Sequence, residues 1–261
     1  MRDNFIYIDA NLVRNMTIIR GIDSADFVNG LDHFPSNIIL LNDDRDNANS
    51  YNAHSKFSTI TGSGAVKEYL LDKQIKDKKF IDFHSNDELN VLLDSEIANL
   101  LYLGHMTYPM DSPFSSKLRN NYIYILLKSN FVKVFFRQFS QFNHVLEVSL
   151  KRHLREMHSG RRMFVRPLVI KNIDDAVLTK LIKLSSEGLV VAFDQSFEQQ
   201  RQYNIPLLME KYPEKQSTWY TKHDIYQNAV SIGTLNYLIY EQRWQVHIDE
   251  DKLPNNFIFE D

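Results

Sequence analysis

The stretch YIYILLKSNFVKVFFR, residues 122–137, holds two runs rich in β-branched and aromatic residues, 122–128 and 131–137, separated by the small polar pair Ser129 and Asn130. Such side chains fit the pleated backbone, and two runs joined by a two-residue polar connection read as a β-hairpin. Working outward, short apolar runs at 5–8, 38–41, 80–83, 164–170 and 189–193 read as further strands. Helical spacing marks 65–74, 87–106, 141–158, 174–186 and 225–240. In 87–106, Leu89, Leu92, Leu93, Ile97, Leu100 and Leu101 recur three or four positions apart, behind Ser85 and Asn86 as cap residues. The helix over 174–186 stops before Gly188, a normal carboxyl-terminal signal.

Strand, helix and strand over 164–193 imply a crossover. With the hairpin this predicts an α/β or α+β fold: a mixed β-sheet with a hairpin near 122–137 and covering helices. Pro109, Asp111, Ser112, Pro113, Ser115 and Ser116 fall in 107–121 among few large aliphatics and punctuate the chain there. Two organisations follow: an N-terminal α/β part over 1–106 and a C-terminal α/β part over 122–261, or one single domain over 1–261.

With 261 residues, 43% hydrophobic and 24% charged, the chain has the composition of a globular protein with a sizeable core. Cysteine is absent, which excludes disulfides, thiolate metal sites, iron–sulfur clusters and a Cys nucleophile. Asp9, Asn11 and Arg14 interrupt what a signal peptide would need near the amino terminus, and no apolar run approaches the roughly 20 residues of a membrane span. These features, with the high Asn, Ile, Tyr, Phe and Lys content, predict a soluble cytoplasmic bacterial protein.

Charge is segregated along the chain. Residues 117–171 hold twelve Lys and Arg against two acids, Glu147 and Glu156, between two acidic flanks, although the whole chain carries only −3. Wound at roughly 100° per residue, the helix over 141–158 places Phe142, Leu146, Leu150, Leu154 and Met157 on one side, with His153 also toward the apolar face as a core histidine. Lys151, Arg155 and His158 fall nearly opposite, with Arg152 at the margin and Arg161, Arg162 and Arg166 just beyond. Arg offers bidentate bonds to phosphate and carboxylate. The expected anion-binding set is therefore Lys151, Arg152, Arg155, Arg161, Arg162 and Arg166. Tyr122, Tyr124, Phe131, Phe135 and Phe136 of the hairpin serve as stacking platforms if the ligand is nucleic acid, and as core residues otherwise.

The resulting functional expectation is a binding or regulatory protein whose basic middle contacts an anionic partner: nucleic acid, a phosphorylated ligand or an acidic protein surface. An alternative enzyme reading starts from three strands that run into polar residues. If those strands are parallel neighbours, Asp43, Asp44, His84 and Asp194 converge at one sheet edge and hold a divalent metal for hydrolase or phosphotransferase chemistry. A third reading is a self-assembling module, in which the basic middle docks on the acidic flank of another copy. Thr61, Gly62, Ser63 and Gly64 precede a helix but lack the Lys of a phosphate-binding loop.

Overall fold

The computed structural model describes residues 4–42, 45–105, 113–127, 130–161, 168–211 and 221–253. In chain order these form β1 (Ile6–Asn11), β2 (Met16–Arg20), α1 (Ser24–Gly30), β3 (Asn37–Leu40), β4 (Ser50–Tyr51), β5 (Ser58–Thr61), α2 (Ser63–Leu71), β6 (Lys79–Phe83), α3 (Asn86–Asn90) and α4 (Asp94–His105). There follow β7 (Tyr122–Leu126), β8 (Val132–Phe136), α5 (Ser140–Arg161), α6 (Asp175–Leu184), β9 (Leu189–Val191), β10 (Phe197–Gln199), β11 (Gln202–Glu210), α7 (Lys222–Gln227), β12 (Ala229–Leu238) and β13 (Arg243–Ile248). The mixture of helices and sheet is the expected class. The chain packs as two compact units: Met1–Ala10 with Ile18–Asp23 and Leu146–Asp261, and Asn11–Thr17 with Ser24–Val145.

In that second unit the strands lie in the order β8-β7-β6-β3-β5-β4, and each neighbouring pair is antiparallel. The hairpin is present, in register from Tyr122 opposite Phe136 to Leu126 opposite Val132. Leu127 N–H closes it on the Phe131 carbonyl at 2.7 Å, and Asn130 takes the left-handed conformation at φ 63°. The hairpin aromatics are all buried. Tyr124 stacks on Phe80 at 5.2 Å and meets Phe27 edge-on, while Phe136 packs on Phe27 and Phe142. They form the core, and the stacking-platform reading falls away.

Two buried charges fasten this unit. Lys78 donates to Ser24 Oγ at 3.2 Å and to the Leu70 and Asp72 carbonyls at 2.9 and 2.7 Å, closing the carboxyl end of α2, where the helix dipole is negative. Asp82 accepts from the backbone N–H of Asn121 at 2.9 Å and of Tyr122 at 2.6 Å, fixing the entry to β7. Burial outweighs those bonds and pushes its carboxyl up to about 6.

The single helix expected over 87–106 is broken into α3 and α4. Ser85 and Glu88 form a capping box around α3, and Glu96 then reaches back to the Leu93 N–H at 2.7 Å, starting a second helix.

In the other unit the strand order is β13-β12-β11-β9-β1-β2, with β10 also on β11. β9 runs antiparallel to both β1 and β11, and β12 is antiparallel to β11 and β13. The expected strand over 164–170 is not formed at 168–170, and 162–167 lie outside the described residues. In place of a crossover, residues 168–173 make a strap whose carbonyls take the side chains of the sheet: Tyr237 Oη donates to Val169 O at 2.8 Å and Trp244 Nε1 to Lys171 O at 3.4 Å.

The helix expected over 225–240 is α7 followed by β12. Ile232, Leu235 and Tyr237 are buried there between two partner strands. Pairing across the chain overrode a local pattern that also suited a helix.

The apolar face of α5 is as expected: Phe142, Leu146, Leu150, Leu154 and Met157 are all buried. His153 lies among them, fully enclosed and stacked on Phe193 with ring centres 5.0 Å apart. Its Nε2 is 2.8 Å from the Gly21 carbonyl, which only accepts, so Nε2 carries the proton. Arg152 Nη2 donates to the same oxygen at 2.8 Å. Gly21 has φ 85°, and a Cβ there would collide with the Phe5 carbonyl, so no other residue fits this turn. Burial first, then the Arg152 charge, pushes His153 down to about 4.

Two opposed pH effects follow. His153 titrates at 6.5 when free and about 4 when folded, so its contribution of about 3 kcal/mol is complete above pH 6.5 and is lost as pH falls toward 4. Urea unfolding of His153→Leu is expected to lack this acid-side loss. Asp82, at 3.8 when free and about 6 when folded, behaves oppositely: about 3 kcal/mol present below pH 3.8 is lost as pH rises to 6. Asp82→Asn is expected to remove that fall, while lowering stability in acid by setting an NH2 group against one of the two buried backbone donors.

Candidate functional site

Several cations of the basic middle pair with carboxylates of the molecule itself. On α5, Lys151 pairs with Glu147 at 2.5 Å and donates to Asn172 Oδ1 at 2.7 Å. Arg152 is 3.4 Å from Glu156 and donates to Gly21 O and Ser149 Oγ. In the second unit, Lys117 meets Glu96 at 2.7 Å and Arg119 meets Glu88 at 2.6 Å, both carboxylates coming from the acidic flank that precedes the basic segment. Arg155 is exposed; the side chain of Arg161 and all of Arg162 and Arg166 lie outside the described residues. The structure therefore joins Lys151 and Arg152 to their own carboxylates instead of presenting them beside Arg155.

The strand-end carboxylates are not gathered by parallel neighbours. β3 and β6 are antiparallel, with Asn37 opposite Phe83 and Leu40 opposite Phe80. His84, which leaves β6, consequently lies beside the start of β3, where Asn37 Nδ2 donates to its carbonyl at 2.9 Å. Its ring is 3.9 Å from Glu88. Asp43 and Asp44 lie outside the described residues. Asp194 has a structural post: it accepts from Tyr226 Oη at 2.6 Å and pairs with Lys222, whose ammonium sits 5.8 and 5.5 Å from the Phe5 and Tyr226 ring centres. This clamp fastens α7. Among the described residues no three His, Asp or Glu stand together as a metal would require. At the Gly62 turn, the Gly62 N–H is spent on Asn37 Oδ1 at 3.3 Å.

A cavity that the sequence did not announce lies in the second unit, between α4 and residues 113–118. It measures about 250 Å³. Leu92, Leu100, Leu103, Pro113, Phe114 and Leu118 give it an apolar body, and Glu96, Asn99, Ser115 and Ser116 its polar contacts. The 113–118 wall is built by hydrogen bonds. Asn120 Oδ1 accepts from Ser115 N–H at 2.8 Å, and Ser115 Oγ accepts from the Lys117 and Leu118 N–H groups. Arg137 donates to Asn120 O at 2.7 Å and holds its guanidinium 5.3 Å from the Phe114 ring centre. On the opposite wall, Glu96 takes the Leu93 N–H and the Lys117 ammonium, and these bonds keep its carboxyl below the usual range. Proline and serine in 107–121 signalled a connection. Only the return of that chain onto α4 makes it a wall.

Glu147 joins the α5 ion pair to the strap, since its Oε1 also accepts from Ile173 N–H at 3.1 Å. Glu147→Ala is expected to cost about 1–2 kcal/mol in denaturant unfolding by removing both contacts. It should also shift the emission of Trp244, whose indole is bonded to the strap. Unchanged stability and emission would show that the pair is not structural.

No helix among the described residues is long and apolar enough to cross a membrane. Compared with known protein families, with curated proteins and with solved structures, the chain matches none of them.

Proposed function

We propose that this chain is a binding protein whose ligand is a small molecule with both apolar and hydrogen-bonding groups, held in the cavity between α4 and residues 113–118. What supports the reading is the cavity's composition: apolar side chains from α4 and 113–118 set beside several polar groups, the mixture a small-molecule site uses. Its size, about 250 Å³, lies just under the range of drug-sized sites and suits a compact ligand. Glu96 and Lys117 neutralise each other at the rim, so the site favours hydroxyl, amide or ether groups over a strongly charged head. Ser115, Ser116 and Asn99 supply both donors and acceptors.

The reading moves the contact surface away from the basic stripe of α5, where Lys151 and Arg152 already have carboxylate partners. It keeps the broader expectation of a binding protein and changes the chemistry of the ligand.

Asn99 is exposed and lines the cavity from α4, so a large side chain there blocks the mouth without entering the core. A fragment library screened by thermal shift is expected to yield ligands that raise the melting temperature of the natural chain, because a ligand selective for the folded form stabilises it. Asn99→Trp should melt at the same temperature without ligand and lose the response. Hits that stabilise Asn99→Trp equally, or a library without hits, would overturn the assignment.

A further inference from the structure

The sheet in the first unit has two unlike sides. Tyr203, Ile205, Leu235, Tyr237 and Trp244 face the core and are buried, with the 168–173 strap bonded to Tyr237 and Trp244. The neighbouring residues along the same strands point the other way, as the two-residue period requires. On that side the register aligns one row across four strands: Phe197 opposite Asn204, Asn204 opposite Asn236, and Asn236 opposite Gln245. Cross-strand partners share a face. Gln202 and Thr234, with His247 opposite Thr234, extend the polar surface on either side of the row.

Exposure is graded along this row. Asn204 is buried, Asn236 and Gln245 are half-buried, and the Phe197 ring is 48% exposed. Gln202 Nε2 donates to Asn204 Oδ1 at 2.8 Å and so orients that amide. Asn204 Nδ2 and Asn236 Oδ1, a donor and an acceptor on registered neighbours, are buried without a hydrogen-bond partner. Such groups are costly to leave unmade. A hydroxyl group is both donor and acceptor, so a hydroxyl has the chemistry to complete either amide.

We infer that this side of β10–β13 binds an uncharged, hydroxyl-rich ligand of the saccharide class, with Phe197 packing on the apolar face of a sugar ring and the amides of Asn204, Asn236 and Gln245 reading its hydroxyls. Among the described residues, the cations beside this row are engaged: Arg243 with Glu241 and with the Gln245 amide oxygen at 2.9 Å, and Arg201 4.6 Å over the Tyr240 ring at the end of the sheet, which favours a neutral ligand over a polyanion. Gln200 and Arg201, the turn between β10 and β11, both adopt positive φ, which fixes the tight hairpin that carries Phe197. This site is separate from the cavity of the second unit and does not rest on it.

The test is a panel of neutral tetrasaccharides of glucose, xylose, mannose and N-acetylglucosamine, titrated against the full chain by calorimetry, with a heparin tetrasaccharide and a short single-stranded DNA as anionic arms. At least one neutral member is expected to bind. Phe197→Ala should weaken it about tenfold and Phe197→Tyr should restore it, since a stacking ring contributes on that scale. Asn236→Ala should also weaken it. The unliganded melting temperature of Phe197→Ala should be unchanged, because the ring is half in solvent. Failure of all neutral members, binding untouched by Phe197→Ala, or salt-sensitive binding of the anionic arms alone would each overturn the proposal.

Discussion

One backbone oxygen organises the first unit. The Gly21 carbonyl receives His153 Nε2–H and Arg152 Nη2–H together, and through them holds α5. The arrangement works only because the histidine is neutral. A second cation beside Arg152, out of contact with water, would meet both desolvation and like-charge repulsion. It also works only because residue 21 is glycine, whose missing Cβ lets the turn pass the Phe5 carbonyl. From α5 the connection continues outward: Glu147 bonds the strap at Ile173, and the strap bonds Tyr237 and Trp244 of the sheet.

Linear charge and surface charge turn out to be different quantities in this protein. The basic segment between two acidic flanks suggested an electropositive face. Folding returns Glu88 and Glu96 to Arg119 and Lys117, and places Glu147 and Glu156 one helical turn from Lys151 and Arg152. Partly exposed pairs of this kind stabilise little, and Glu88 and Glu96 offset two of the ten positive charges by which the segment's twelve cations exceed its two acids. The two sites inferred for the units draw instead on polar, uncharged side chains such as Asn99, Ser115, Asn204 and Asn236.

Much of the fold was legible where the signal was local. The 122–137 hairpin, the apolar stripe of α5, the core position of His153 and the helix before Gly188 all depend on residues close in sequence, and all are present. Errors arose where a distant partner decides. Residues 229–238 carry enough Leu, Ile and Tyr to suit either period, and only β11 and β13 select the strand. The broken helix at Val91–Leu93 turned on a glutamate reaching back to a backbone amide. The cavity required residues 92–103 to meet 113–118, which no spacing rule announces, and the amide row required four strands in register. The carboxylate cluster relied on parallel strands, whereas β3 and β6 run oppositely and Asp194 is engaged with α7.

The burial of Lys78 reaches into the chemistry of the chain in the test tube. Its ammonium directs its three hydrogens at three oxygens, one hydroxyl and two carbonyls. An amine so engaged is a poor nucleophile, and its peptide bond is hard for trypsin to fit. Acylating reagents that modify the exposed lysines of the native protein should therefore pass this one by, which makes Lys78 an internal reporter: its first labelling marks the moment when α2 lets go.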